Sequence, residues 1–361
     1  WFYENPYWKY FRHLADYTRR VSFMGRQGEH VADVAILYPV EDVWSRGFQV
    51  GPPVEIPGLA KLVTPEIIGL ATPVVPGLAT ANTRNRPATE QLVDRLLEQQ
   101  IDCDLVDTDS LLQAAPVPDG RVKIGKESYR ILLLPAVRTV SLAAYRRILE
   151  LSRAGLKVIA VGVTPRHSAE NGAEDPEVIR LSKELFGDRP GADGVELLSR
   201  LHNELTPDVR VLSGERETLR CAHRRVGERE VYWLVNSEKR TGEWTIQFAA
   251  TGSVERWDPA TGDSTAVSAT TQSSTHTTLR LELKSWEGSY FVFNHGAGPT
   301  SAGKADRPSG SASLPPLAVK GPWTFQLAPT ELDYVWKPDP GETRVELPVM
   351  DLRIERGHPP G

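Results

Sequence analysis

At 361 residues, 40% of them hydrophobic and 25% charged, the chain has room for two or three domains and material for their cores. Its 42 Lys and Arg against 47 Asp and Glu leave a net charge of -5, no broad footprint for nucleic acid or an anionic membrane. Two widely separated cysteines argue against a disulfide framework or a multi-cysteine metal site, and no apolar run approaches the roughly 20 residues that span a bilayer.

The first predicted element is an amphipathic helix. Tyr7, Tyr10, Phe11, Leu14, Tyr17, Val21 and Met24 recur at three- and four-residue steps, with Lys9, Arg12, Asp16, Arg19 and Arg20 on the remaining surface. Asn5 suits its N-cap and Pro6 its first turn. Only Trp1 to Glu4 precede it, without an initiator methionine. The expectation is therefore that the apolar face packs on a missing part of a longer protein, with residues 1–28 as the last helix of a preceding domain.

The chain then runs into a fully apolar strand, VADVAILYPV (31–40), followed by predicted strands at 102–107, 129–137 and 157–163 and helices at 88–100, 141–155, 175–187 and 195–205. Short apolar runs alternating with helical ones predict a parallel sheet covered on both faces. Ser141 suits an N-cap and Gly155 the residue closing that helix. Residues 29–206 are thus expected to form a doubly wound, flavodoxin-like (amidotransferase-like) α/β domain. Its long loop, 45–87, is proline-rich and carries PGLA twice, at 57–60 and 76–79; packing on a neighbouring domain is favoured, with a lid as the second reading.

From 207 to 296 the pattern becomes β-branched and aromatic with period-two alternation, which predicts an antiparallel β-sandwich. Strand pairs are expected within 218–237, 242–263 and 277–294. Residues 297–316 have the composition of a flexible linker, and strand-like patterning resumes at 317–361, too short for an independent domain.

Motifs carrying chemistry are sparse. No G-x-G-x-x-G follows a strand, no Walker loop is present, and Cys103 lies within a strand rather than at a nucleophile elbow. The acidic string Asp102, Asp104, Asp107 and Asp109 is expected not to converge on a cation, with Asp109 and Ser110 as helix-cap residues. The eight histidines lack zinc spacing. Glu41 and Asp42, just past the first strand, are expected as surface charges or helix caps. The nine tryptophans are expected mainly in cores, with sugar stacking the second use.

The residues NPYWKYFRHLADYTRRVSFMGRQGEHVADVAILYP (5–39) closely resemble the segment that follows the catalytic barrel in glycoside hydrolase family 106, the α-L-rhamnosidases. The likeness continues through 90–115, 129–137, 219–237, 254–263, 288–294 and GPWTFQLAPTELDYVW (321–336), the last resembling the opening of a galactose-binding-like β domain. The 45–87 loop departs from the family pattern in being longer and richer in proline. The resemblance implies hydrolysis of terminal α-L-rhamnosides with inversion. Two carboxyl groups would stand roughly 6.5–9.5 Å apart, both on a (β/α)8 barrel preceding Trp1, so no catalytic residue is assigned in this chain. It implies calcium in the parent protein with no metal ligand placed here, a rhamnose-containing carbohydrate as partner, neither nucleic acid nor membrane, and a secreted or periplasmic location. Asn5 and Trp8, on the loop after the eighth barrel strand, are the expected substrate-binding contacts. The second reading is a non-catalytic carbohydrate-binding or structural module, and the third, an amidotransferase-like enzyme, lacks its cysteine.

Overall fold

The structure, a computed structural model, describes residues 7–46, 75–78 and 87–295. Asn5, the 297–316 linker, the 317–361 segment and most of the 45–87 loop lie outside the described residues. The first helix, α1 (Phe11–Gly25), follows a 3-10 turn at Trp8–Tyr10, so it starts later than its periodicity suggests; Tyr10 occupies the N-cap position without a side-chain hydrogen bond. Gly28, at φ +59°, turns the chain into β1 (Glu29–His30), so close to the Arg225 carbonyl that a Cβ would sit 1.9 Å from its oxygen. Only glycine fits there.

The predicted 31–40 strand contracts to β2 (Val34–Leu37), because the chain turns at Pro39 into α2 (Val40–Arg46). After α3 (Ala88–Leu97) come β3 (Cys103–Val106), α4 (Thr108–Leu112), a small antiparallel sheet of β4 (Ala115–Val117), β5 (Arg121–Ile124) and β6 (Glu127–Tyr129), and then β7 (Ile131–Pro135). Next are β8 (Thr139–Val140), α5 (Leu142–Arg153), β9 (Lys157–Val161), β10 (His167–Ser168), α6 (Pro176–Phe186) and α7 (Gly194–Glu204). Four strands pair in parallel in the order β3-β2-β7-β9, and β8 pairs with β10.

Alternation along buried strands divides two cores between the faces of this sheet. Leu132 and Leu134 pack with Tyr145 and Ile148 of α5 and Val178 and Leu181 of α6. Ile131 and Leu133 pack with Leu92 and Leu96 of α3 and Leu197 and Leu201 of α7. Each long helix of this region after α3 has a side-chain cap: Ser141 accepts from the Ala144 amide, Asp175 from Glu177 and Val178, and Asp193 from Val195 and Glu196. Gly155 follows the Ala154 C-cap of α5 at φ +118°. The described part of the long loop, Val75 to Leu78, buries Val75 and Leu78 in the second core, and the Gly194 amide donates to the Pro76 carbonyl.

The remaining strands are β11 (Val209–Ser213), β12 (Leu219–Val226), β13 (Arg229–Asn236), β14 (Gly242–Phe248), β15 (Ser253–Trp257), β16 (Ser264–Val267), β17 (Thr271–Gln272), β18 (Thr277–Leu283) and β19 (Gly288–Asn294). They form two antiparallel sheets, β1-β12-β13-β19-β15-β16 and β11-β14-β18-β17. Tyr232, Phe291 and Phe293 of the first share a core with Trp244, Phe248 and Leu279 of the second. The expected pair at 218–237 is a hairpin, Val226 facing Arg229. Two strands also lie in each of the other two segments, β14 and β15 in different sheets and β18 and β19 likewise. Alternation reports which residues face inward and says nothing of which strand lies alongside.

The first helix finds part of its packing partner within this chain. Met24 packs against the cluster of Val231, Tyr290 and Val292 on the six-stranded sheet. Arg20 Nη1 donates to the carbonyls of Pro259 (2.8 Å) and Ala260 (2.9 Å), and the Tyr290 hydroxyl donates to the Val21 carbonyl. Tyr7, Trp8, Tyr10, Phe11 and Leu14 remain exposed. Among the described residues no helix is long and apolar enough to cross a membrane.

Candidate functional site

A dense group of titratable side chains lies where the parallel sheet meets the antiparallel ones. Strand β1 extends the six-stranded sheet beside β12 and thereby places His30 against the start of β3. Its Nε2 is 2.7 Å from Asp102 Oδ2 and its Nδ1 2.8 Å from Asp104 Oδ2. Two members of the acidic string, Asp102 and Asp104, stand two residues apart in extended backbone and so face the same way, toward this imidazole. The Tyr129 hydroxyl also donates to Asp104. Burial alone would depress the His30 pKa, but hydrogen bonds and charge from both aspartates prevail and raise it to about 10. Asp104, despite burial acting the other way, is held below the usual carboxylate range by His30, Tyr129 and the Arg224 charge.

A second imidazole repeats the arrangement on β12. His223 sets Nδ1 2.9 Å from Asp208 and Nε2 2.8 Å from Glu230, and its ring stacks on Tyr232 at 4.1 Å. Burial opposes its charge, yet the two carboxylates raise its pKa. Glu230 is lowered, against burial, by His223 and Arg225. The clamps touch: the His223 amide donates to Asp102 Oδ2 at 3.2 Å. Beside them Gln100, at φ +55°, donates to the carbonyls of Arg216 and Leu219 and so ties the end of α3 to β12. The intervening cavity, lined by Asp33, Gln100, Asp102, His202, Asp208 and His223, holds only about 40 Å³, space for a water or two and far less than a sugar needs.

This arrangement holds the two regions together and leaves little free for chemistry. Both thiols beside it, Cys103 and Cys221, are pushed up by burial first and then by neighbouring aspartates, Asp102 in both cases, and stay protonated. Asp102 and Asp104 already share the His30 cation, which a calcium ion would have to displace. Among the described residues no group of three or more His, Cys, Asp or Glu side chains could hold a metal ion. The described residues therefore do not fit the calcium implied by resemblance.

Of the expected substrate contacts, Asn5 lies outside the described residues. Trp8 stands in the 3-10 turn before α1, 46% exposed and stacked on Phe11 at 5.2 Å. The helix cap expected at Asp109 and Ser110 is supplied by Asp107, whose carboxylate accepts from the Ser110 amide. Glu41 and Asp42 are not simple surface charges. Asp42, 3% exposed, accepts from the Arg138 and Thr139 amides, and Glu41 accepts from Thr108. His30 escaped sequence reasoning because its acidic partners lie 72 and 74 residues away, beyond any local spacing rule; those of His223 lie 15 and 7 residues away but follow no catalytic or metal-binding spacing.

Comparison with known proteins places this architecture. A sequence model of the α-L-rhamnosidase family matches residues 84–271, just over half of the chain. A protein of Formosa agariphila, provisionally named beta-glucuronidase, is 22% identical over 263 residues, covering 72% of this chain and 19% of that protein. The structure of a rhamnosidase from Novosphingobium sp. PP1Y is similar with a TM-score of 0.54 at 20% identity, over 81% of this chain and 25% of that one, a likeness of fold. The chain thus spans about a fifth of one relative and a quarter of the other. By the extent of the family match, it belongs to glycoside hydrolase family 106, the α-L-rhamnosidase family.

Proposed function

We propose that this chain is an accessory, non-catalytic part of a glycoside hydrolase that removes terminal α-L-rhamnose from a rhamnose-containing carbohydrate with inversion. The observation that carries this reading is the family match over residues 84–271 in a chain that spans a quarter or less of its relatives' length, and the electrostatics agree with it. Among the described residues, every carboxyl group displaced from its ordinary titration (Asp104, Asp107, Glu174, Asp175, Glu177 and Glu230) is displaced downward. A glycosidic general acid needs the opposite, a carboxyl kept protonated near neutral pH. The acid, the base and the calcium ligands would then belong to a (β/α)8 barrel elsewhere in the protein, with export to the periplasm or exterior.

In this reading residues 29–206 are a flavodoxin-like domain, 207–296 a β-sandwich and 317–361 part of a galactose-binding-like domain. The exposed aromatic start of α1 faces the barrel, with Asn5 and Trp8 near its substrate side. The test is an assay of the 361-residue chain alone and of a longer protein containing it on an aryl α-L-rhamnoside. Turnover is expected from the longer protein only. Activity that follows the chain alone through purification would place the acid and base here and overturn the proposal.

A further inference from the structure

At one end of the antiparallel sheets, the loop after β13 (237–241) and the loop joining β18 to β19 (284–287) lie side by side. Asn236, 1% exposed, rivets them. Its Nδ2 donates to the carbonyls of Arg240 (2.8 Å), Leu283 (3.2 Å) and Lys284 (2.9 Å), and its Oδ1 accepts from the Glu238 amide (3.1 Å). The Trp286 amide in turn donates to the Glu238 carbonyl. Glu238 also borders a cleft of about 210 Å³, whose lining includes Glu215, Thr218, Arg240 and Glu243. Behind it the buried Trp244 indole sits between Gly214 and Gly242, where a Cβ would approach ring atoms to 2.5 Å and 2.1 Å, so the wall of the cleft is rigid.

Trp286 fits neither its turn nor its solvent exposure. It is 60% exposed, and its φ of +55° lies in the left-handed region that favours glycine. Glycine would make this turn without strain, and a polar side chain would suit the water. A bulky aromatic held in strained backbone, its amide bonded to a residue that borders a polar cleft, is the kind of outlier from which a binding role is argued.

We propose that Trp286 and the adjoining cleft bind one neutral sugar residue. The indole offers an apolar face to the ring's C–H face, while the Glu238 carboxylate offers an acceptor for its hydroxyls. The cleft is smaller than the roughly 300–1,000 Å³ of drug-sized pockets and suits a single ring. Three carboxylates line it against one guanidinium, and Arg240 is already paired with Glu215, so a uronate would meet repulsion. The choice of a sugar rests on the carbohydrate reading above; the place of the site rests on the loops alone.

The test follows indole N–H and backbone amide signals of the 361-residue chain by NMR during titration with methyl α-L-rhamnopyranoside, methyl α-D-glucopyranoside and sodium D-glucuronate. The Trp286 signal, identified by its absence in Trp286→Gly, is expected to move saturably with at least one glycoside, and glucuronate is expected to bind at least tenfold more weakly. Trp286→Gly and Glu238→Ala, both at exposed positions, should each weaken binding tenfold or more, read at the Thr241 amide. The site is overturned if neither glycoside gives a saturable shift, if Trp286→Gly binds as well as the unaltered chain, or if glucuronate binds as tightly as the glycosides. Failure here, with rhamnoside cleavage intact in the longer protein, would sink this site alone; saturable binding without such cleavage would sink the reaction and leave the site.

Discussion

The seam around His30 and His223 and the loop rim around Trp286 gather chemistry-bearing side chains in opposite ways. At the seam four carboxylates, two imidazoles and two thiols are held close together, and each imidazole is bonded on both nitrogens. At the rim a single aromatic is left in water on strained backbone. The richer cluster is the poorer candidate for binding, because groups that satisfy one another have nothing left for a ligand. Residual demand, more than density of functional groups, marks a site.

That contrast can be broken most directly at the seam. His30→Ala leaves Asp102 and Asp104 facing each other without their cation and is expected to cost about 3 kcal/mol, the low end of the range for breaking a buried pair because this group is half-buried. His223→Ala should cost less, about 2–3 kcal/mol, since Arg225 still pairs with Glu230 and Asp208 reaches solvent. Urea denaturation of both variants measures the difference. The reverse order would mean that the stacked ring on Tyr232, more than the charge balance, secures the seam.

The pH profile sharpens the same point. His30, raised from 6.5 to about 10, contributes stability that is complete below its unfolded pKa and lost as pH climbs toward 10. Asp104 and Glu230, lowered from 3.8 and 4.5, contribute stability present above those values and lost as acid protonates them. Urea midpoints should therefore be highest near pH ~5–6 and fall on both sides, with His30→Gln flattening the alkaline arm. An alkaline arm of unchanged slope in that variant would remove His30 from the account.

At the rim the effects on folding are smaller and of the other sign. Trp286→Gly relieves a left-handed backbone and should stabilise the chain by up to about 1 kcal/mol, even as it removes the proposed sugar platform. Away from the rim, Trp8→Ala, which removes a half-exposed ring stacked on Phe11, should change the stability of this chain by less than about 0.5 kcal/mol. A large loss there would mean that the aromatic face of α1 is already covered within the chain.

Much of the fold was legible before the structure. The strands at Val34–Leu37, Ile131–Pro135 and Lys157–Val161 lie inside their predicted segments, since a strand buried on both faces must be apolar throughout. The Ser141 cap and Gly155 terminus were equally plain, because a helix end needs a local hydrogen-bond acceptor and a residue tolerant of positive φ. The candidate sites were not. Nothing in sequence separates Trp286 from the other tryptophans, since its backbone angle and exposure are tertiary facts, and Asp102 and Asp104 read as part of the 102–107 strand, with no local sign of a histidine more than 70 residues earlier.

The sequence by itself determined the local elements, the family and the division into a parallel and an antiparallel region, since these follow from periodicity, capping and recurring residue strings. Tertiary structure alone decided that β14 and β15 part company between sheets, that Met24 and Arg20 of the first helix rest on strands and turns more than 200 residues later, and that His30 is claimed by carboxylates more than 70 residues away. The physical reason is one of range. Propensity and pattern act over a few residues, whereas a charge buried at a seam is satisfied by whatever the folded chain brings within 3 Å, however far apart in sequence.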